Sequence, residues 1–99
     1  MFQHIPFWKK TSGDEKDIFE AFEFVTLINN DIRILTYRLH WQNFQGQLKK
    51  RWDNAEHHRE VATFPYHVHD GDSGVVQASE KMSIPKALKI IEAEILNLD

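Results

Sequence analysis

The chain has 99 residues, of which 41% are hydrophobic and 27% charged, so it is one small domain and not a membrane protein. Its formal net charge of −3 excludes a uniformly basic nucleic-acid binder, although a local basic face remains compatible with it. The lack of cysteine excludes disulfides, thiolate metal sites and cysteine nucleophiles. Because no secretory signal is visible, we expect a cytoplasmic protein.

The chain divides into two predicted parts. Residues 1–17 mix aromatic residues with Pro6 and a polar stretch, which is typical of a loosely ordered N-terminal arm. Residues 18–99 predict a single α+β domain. At its start, residues 18–28 are aromatic and β-branched and favour a strand, with a helix as the open alternative. Residues 29–31 then supply the short polar side chains of a turn.

A β-hairpin follows. Residues 32–42 alternate between apolar and polar side chains, residues 43–46 predict the turn, and residues 47–53 predict the returning strand. The simplest register places His40 opposite Lys49, with apolar side chains on the other face of the sheet for the core. The predicted polar face carries Arg38, His40, Lys49, Arg51 and Asp53.

The last third of the chain predicts a short strand, a loop and a helix. Residues 64–69 contain Pro65 and predict an edge strand or an extended segment, and residues 70–74 predict a loop. Ser83 is suited to cap a helix that presents one apolar stripe. The members of the stripe are Ile84, Leu88, Ile91, Ile95 and Leu98. The predicted fold is therefore α+β, a small antiparallel meander sheet covered by a C-terminal α-helix.

Histidine is the compositional anomaly of this chain. Five of its six histidines lie between positions 40 and 69. One interpretation is a metal site, because His67 and His69 would point to the same face of a strand. A carboxylate or imidazole from elsewhere would then complete the ligand set. The candidates are Asp53, His57, His58 and Asp70.

A second interpretation is acid–base chemistry on RNA. Imidazole titrates near neutrality, so it can take and give protons during phosphodiester transfer. Arg38, Lys49 and Arg51 would neutralise phosphate charge, and Tyr66 would stack on an unpaired base. The third interpretation is structural: a solvated sheet face with Arg and Lys, on which Asp53 bonds nearby backbone or a histidine.

Three stretches resemble the TumE-like family of prokaryotic toxins. The strand Y-R-L-H-W-Q at 37–42 is similar to that family's Y-x-Y/L-H-W-Q, and R-W-D-N-A-E-H-H at 51–58 to its R-W-D-N-A-x-H-H. The stretch T-F-P-Y-H-V-H at 63–69 is similar to T-F-P-H-H-x-H, except that Tyr66 replaces the first histidine. The resemblance extends over residues 18–98, and residues 1–17 do not resemble the family's longer N-terminal region.

The resemblance implies the toxin component of a toxin–antitoxin system with a helix-turn-helix antitoxin as protein partner. From it and from the cationic face we predict a toxin that acts on RNA as a metal-independent ribonuclease without a cofactor. The alternative is a non-enzymatic module that binds nucleic acid or protein, in one form a shortened inactive relative of the toxins with a structural histidine metal site. A homodimer is a further candidate assembly. The predicted catalytic residues are His67, His69, Arg51, Arg38, His57, His58 and Asp53. The predicted substrate-binding residues are His40, Lys49 and Tyr66.

Overall fold

The protein folds as one antiparallel sheet with a helix packed on one of its faces. The structure, a computed structural model, describes residues 16–96 and the backbone of residues 2–8. The strands form a meander in which each strand pairs with the next one along the chain. The elements are β1 (Phe2–Trp8), β2 (Lys16–Ile28), β3 (Asp31–Gln42), β4 (Leu48–Asp53), β5 (His67–Asp70), β6 (Val76–Ala78) and α1 (Ile84–Leu96).

The predicted α+β fold is confirmed. The strand predicted for residues 18–28 is confirmed as β2, which begins two residues earlier, and the helical alternative there is wrong. Of the predicted arm, the backbone of residues 2–8 forms β1 and pairs with β2, while residue 1 and residues 9–15 lie outside the described part. The division into an arm and a domain stays a prediction.

The hairpin of β2 and β3 extends beyond the rest of the sheet. Its turn has Asn29 and Asn30 at φ 50° and 67°, a left-handed conformation that asparagine tolerates, which confirms the predicted turn. Residues 24–36 pair only with each other within the described residues, because β1 and β4 end before them. We call this two-stranded extension the distal ribbon. One of its faces carries two exposed cross-strand pairs, Val25 with Ile34 and Leu27 with Ile32.

The predicted register between β3 and β4 is wrong by two residues. His40 is paired with Arg51 and not with Lys49, and the register shifts between Trp41 and Gln42. A bulge of this kind adds a residue to one strand, and here the extra residue is Lys49, between Leu48 and Lys50. Because the shift is by an even number, Arg51 and Asp53 stay on the predicted polar face.

Two features near the C-terminal end of the sheet differ from expectation. The strand predicted to begin at Phe64 begins at His67, since residues 61–66 form turns closed by Phe64 N–H to Val61 O and Tyr66 N–H to Thr63 O. That strand, β5, is not at an edge, because β6 pairs with its outer side. The three-residue strand β6 was not predicted at all.

The core lies between the sheet and α1. Phe19, Leu39, Trp41 and Trp52 point to this side, and Ala87, Ile91 and Ile95 of the helix cover them. The predicted cap is confirmed, because Ser83 Oγ accepts from Lys86 N at 3.3 Å. Leu98 of the predicted helical stripe lies outside the described residues. With one face of the sheet filled in this way, polar side chains occupy the other.

Among the described residues, no helix has the length and apolar character needed to cross a membrane.

Candidate active site

Two rows of paired residues cross the face of the sheet opposite the helix. In one row Arg38 of β3 pairs with Asp53 of β4, and Asp53 pairs with His67 of β5. In the next row His40 pairs with Arg51, and Arg51 with His69. Side chains of directly opposite residues lie on the same face of a sheet. Strand pairing alone therefore assembles six of the predicted site residues into one patch.

Asp53 is the carboxylate at the centre of this patch. It is only 7% exposed, and its Oδ1 accepts a hydrogen bond from Ala55 N at 3.0 Å. Oδ1 also lies 2.8 Å from Nε2 of His67, and Oδ2 lies 3.4 Å from Nε2 of His69 and 3.5 Å from Nε of Arg51. The buried carboxylate thus lies against two imidazoles and a guanidinium, and the charge of Arg51 together with the N–H of Ala55 offsets the cost of its burial.

His67 forms the floor of the patch and is 1% exposed. Its Nδ1 lies 2.9 Å from the Pro65 carbonyl oxygen. Because a carbonyl only accepts, Nδ1 carries the hydrogen and the ring is held in one orientation. Its Nε2 is buried 2.8 Å from Asp53 Oδ1 and has no hydrogen-bond partner.

A third histidine reaches the patch from the connection between β4 and β5. The rings of His58, His67 and His69 contact one another edge-on, with centroid separations of 4.8, 5.3 and 4.9 Å for the pairs 58–67, 58–69 and 67–69. We call these three residues the histidine cluster. Nδ1 of His58 also lies 3.1 Å from Oε2 of Glu60. Of the three rings, those of His58 and His69 keep access to solvent, with side chains 29% and 20% exposed.

Both ends of the connection that carries His58 are tied to the sheet. At the start, Asn54 Oδ1 accepts from Tyr37 N and Asn54 Nδ2 donates to Leu35 O, each at 3.0 Å. Near its end, Thr63 Oγ1 donates to Tyr66 O at 2.6 Å and accepts from Ser79 N at 2.9 Å. These bonds hold the connection against the sheet and bring His58 to the other two histidines.

An open cavity of about 340 Å³ lies over the cluster. The histidine cluster, Asp53 and the two arginines of the polar face all line it, as does His57. Burial lowers the pKa of His69 from its usual value, and the charge of Arg51 lowers it further, while Asp53 acts in the opposite direction. The neutral imidazole of His69 is therefore favoured at neutral pH, in a cavity that also presents two guanidinium groups.

The remaining predicted site residues lie around this cavity or away from it. His57 is exposed at its rim, and His40 lies in an adjoining cavity of about 200 Å³, where its Nε2 contacts Gln42 Oε1 at 2.9 Å. Lys49 lies elsewhere, with Nζ 3.0 Å from Asp72 Oδ1, because the bulge moves it out of the rows. Tyr66 stacks on Tyr37 and packs against the core, which leaves it outside the cavity lining.

Sequence reasoning missed Phe22. This side chain lines both cavities, and the guanidinium carbon of Arg38 lies 5.7 Å from its ring centroid. Phe22 alternates with the buried residues Phe19 and Ala21 along β2, and it pairs with Arg38 across the strands. The sequence does contain a signal for Phe22. Successive residues of a strand point to opposite faces, so the core-facing positions Phe19 and Ala21 place Phe22 on the polar face.

Comparison with known protein families places this chain in a class of toxins. A family model described as Toxin TumE matches residues 10–97, which is most of the chain. The chain belongs to the TumE toxin family, as the resemblance of its three motifs implied. No curated protein and no solved structure matches it. Membership in a toxin family supports an antitoxin partner in general terms.

Proposed function

We propose that this toxin cleaves RNA in the cytoplasm as a histidine-dependent ribonuclease that needs no metal ion. The observation that carries the proposal is the contact between two solvent-accessible imidazoles, those of His58 and His69, in a cavity that Arg38 and Arg51 also line. Two imidazoles and a cationic group are sufficient to cleave RNA through its own 2′-hydroxyl.

In the proposed reaction, His69 acts as the general base. Its lowered pKa supports this role, because a neutral ring accepts the proton of the 2′-hydroxyl. The 2′-oxygen then forms a bond to the adjacent phosphorus, and the bond from phosphorus to the 5′-oxygen breaks. The products are a 2′,3′-cyclic phosphate and a strand with a free 5′-hydroxyl.

His58 is the proposed general acid that gives a proton to the departing 5′-oxygen. Its Nδ1 contacts the Glu60 carboxylate, so the other ring nitrogen is left to carry the transferred proton. His67 was predicted as an acid–base residue from the sequence, and that role stays a prediction. Because its Nε2 is buried, we propose that it positions the other two rings together with Asp53.

The two arginines supply the positive charge. In the transition state the phosphoryl oxygens gain negative charge, and guanidinium groups stabilise it through fixed donors. Arg38 and Arg51 line the same cavity as the cluster, and both extend into the adjoining cavity that contains His40. This second cavity is the proposed place for a neighbouring nucleotide of single-stranded RNA.

The test is cleavage of an end-labelled RNA by purified, tag-free protein in the presence of a chelator. We expect cleavage that survives chelation, products with cyclic phosphate ends, and activity that changes between about pH 5 and 8. His58→Gln and His69→Gln should each lower the rate by about 100-fold or more. Intact RNA under every pH and metal condition tried, with folded protein, contradicts the ribonuclease.

A binding module is the second candidate, because the same cationic cavity would also hold a phosphate without reacting. Its signature is RNA binding that weakens steeply with salt while the RNA stays intact. The histidine variants separate the two candidates. Loss of cleavage with retained RNA binding supports the enzyme, whereas loss of binding without any cleavage by the parent protein supports the module.

The proposed partner is an antitoxin of the helix-turn-helix type, and a homodimer is the alternative assembly. The apolar face of the distal ribbon supports a protein partner, since Leu27 and Ile32 are 71% and 69% exposed and face the same side. Light scattering on the chain alone and with co-expressed antitoxin distinguishes the two assemblies. Leu27→Lys should weaken whichever complex covers this face.

A further inference from the structure

We propose that the histidine cluster also binds a divalent transition-metal ion such as Zn²⁺. Among the described residues, His58, His67 and His69 each offer a ring nitrogen, and these three atoms lie within 4.8 Å of one another. Neutral imidazole is a preferred ligand of Zn²⁺, Cu²⁺ and Ni²⁺. A site of three histidines leaves a fourth position open for water or a carboxylate.

The spacing requires only a small closure of the site. Zinc–nitrogen bonds of 2.0–2.1 Å place tetrahedral ligand atoms about 3.3 Å apart. The ring nitrogens of the three histidines lie up to 4.8 Å apart. To bind one zinc ion, the most distant of them would have to approach each other by about 1.5 Å. His58 and His69 are placed to make this movement, because their side chains are partly exposed, while His67 is buried in the floor.

The surroundings of His67 are those of a metal ligand. Its Nδ1–H donates to the Pro65 carbonyl, so in the neutral ring Nε2 carries the lone pair. Histidines that bind metals commonly donate their other ring N–H to a backbone carbonyl or a carboxylate in this way. Without a cation, that lone pair is buried 2.8 Å from a carboxylate oxygen of Asp53 and lacks a hydrogen-bond partner. A bound cation satisfies the nitrogen and the carboxylate together.

The chemistry of the donors selects the class of ion. Mg²⁺ and Ca²⁺ prefer oxygen ligands, whereas the histidine cluster offers three imidazoles, with the carboxylate of Asp53 beside them. The position of Asp53 suits a fourth ligand or an outer-sphere partner that compensates the charge of the ion. The guanidinium of Arg51 lies 3.5 Å from Oδ2 of Asp53 and partly compensates the negative charge of this carboxylate.

Metal binding and RNA cleavage would compete for the same atoms. An ion on His58 and His69 occupies the lone pairs that the proposed acid and base use, so we expect it to inhibit the reaction. This consequence for activity depends on the proposed function. The metal site itself does not depend on it, and it is tested without RNA.

The test is calorimetric titration of the chelator-treated, tag-free protein with ZnCl₂, together with the visible absorption of Co²⁺ as a probe of the ligand geometry. We expect one ion per chain, and binding about 100-fold weaker or more in His58→Gln and in His69→Gln. His57→Gln is the matched control, because His57 is the neighbour of His58 in the chain but lies outside the cluster. Mg²⁺ should not bind at this site.

Circular dichroism confirms that each variant is folded, and the buried His67 is left unchanged so that no result depends on a damaged floor. Absence of Zn²⁺ binding overturns the proposal, as does equal weakening by His57→Gln. Stoichiometric binding with inhibited cleavage supports both proposals. Stoichiometric binding with stimulated cleavage supports the metal site and overturns the metal-independent reaction.

Discussion

The carboxylate of Asp53 lies 2.8 Å from Nε2 of His67, and these two residues are direct partners across neighbouring strands. Both are buried, and both have a second fixed contact, Ala55 N for the carboxylate and the Pro65 carbonyl for the imidazole. The centre of the site is therefore built by the pairing of β4 and β5, and His58 reaches it from the connection between these two strands.

Asp53→Asn should impair cleavage while the fold is retained. The amide oxygen of Asn can still accept from Ala55 N, but its neutral group no longer attracts His67, His69 and Arg51. We expect the cleavage rate to fall by about 10- to 100-fold, the loss that follows when a group orienting a metal-binding imidazole is removed. Single-turnover cleavage measures it, and an unchanged rate in folded variant protein means that this carboxylate does not position the histidines.

Arg51→Gln should remove transition-state stabilisation. Its loss is expected to lower the cleavage rate by about 100-fold, whereas Arg51→Lys should retain part of the activity, because it keeps the charge but not the planar donor pattern. Arg33→Gln is the matched control, since Arg33 lies on the distal ribbon, beyond the polar-face pairing. Equal losses in the Arg51→Gln and Arg33→Gln variants indicate a general charge effect and count against a specific role.

Tyr37→Phe should change how stability depends on alkaline pH. Burial raises the pKa of the Tyr37 hydroxyl above its usual value of 10.0. The folded state thus holds this proton more tightly than the unfolded state, so the free energy of unfolding falls as the pH rises above about 10. Urea unfolding between about pH 8 and 11 should show a shallower decline for the variant. Parallel curves for the two proteins contradict a buried hydroxyl.

The variant should also be less stable at neutral pH, by about 1 kcal/mol, because Tyr37 Oη accepts a hydrogen bond from Met82 N at 3.2 Å. The neutral-pH difference serves as an internal check on the same curves. A variant as stable as the parent protein at neutral pH means that water replaces this bond.

Two leucine-to-alanine substitutions should differ widely in cost. Leu39 is fully buried under the helix, so Leu39→Ala is expected to lower the free energy of unfolding by about 2–5 kcal/mol. Leu27 on the distal ribbon is 71% exposed, and Leu27→Ala should cost less than about 0.5 kcal/mol. Denaturant unfolding at several protein concentrations measures both. A large, concentration-dependent cost for Leu27→Ala means that a second copy covers the ribbon.

The sequence allowed strands β2 to β5, the polar face and the helix to be predicted because each depends on local pattern. Alternation along residues 32–42 separates the two faces of β3, and Ser83 with the apolar stripe marks α1. The polar residues Arg51 and Asp53 were assigned to the correct face although the register was wrong, since a shift by two residues preserves the alternation.

What the sequence could not supply depends on contacts between distant segments. The bulge that displaces Lys49 arises from how β3 and β4 pair, and no composition signal marks it. The approach of His58 to His67 and His69 depends on the path of the connection across the sheet. Tyr66 was expected at the substrate, but its stacking on Tyr37 is a long-range packing preference that periodicity does not reveal.

Growth of a bacterial host on induced expression of this chain, beside a His58→Gln/His69→Gln double variant, tests the central claim most directly. Both proteins must be folded and equally abundant, and the buried His67 is left unchanged in the variant. A histidine-dependent toxin predicts growth arrest by the parent chain and normal growth with the variant. Equal arrest by both proteins would contradict the role assigned to these histidines, and normal growth with both would contradict an active toxin.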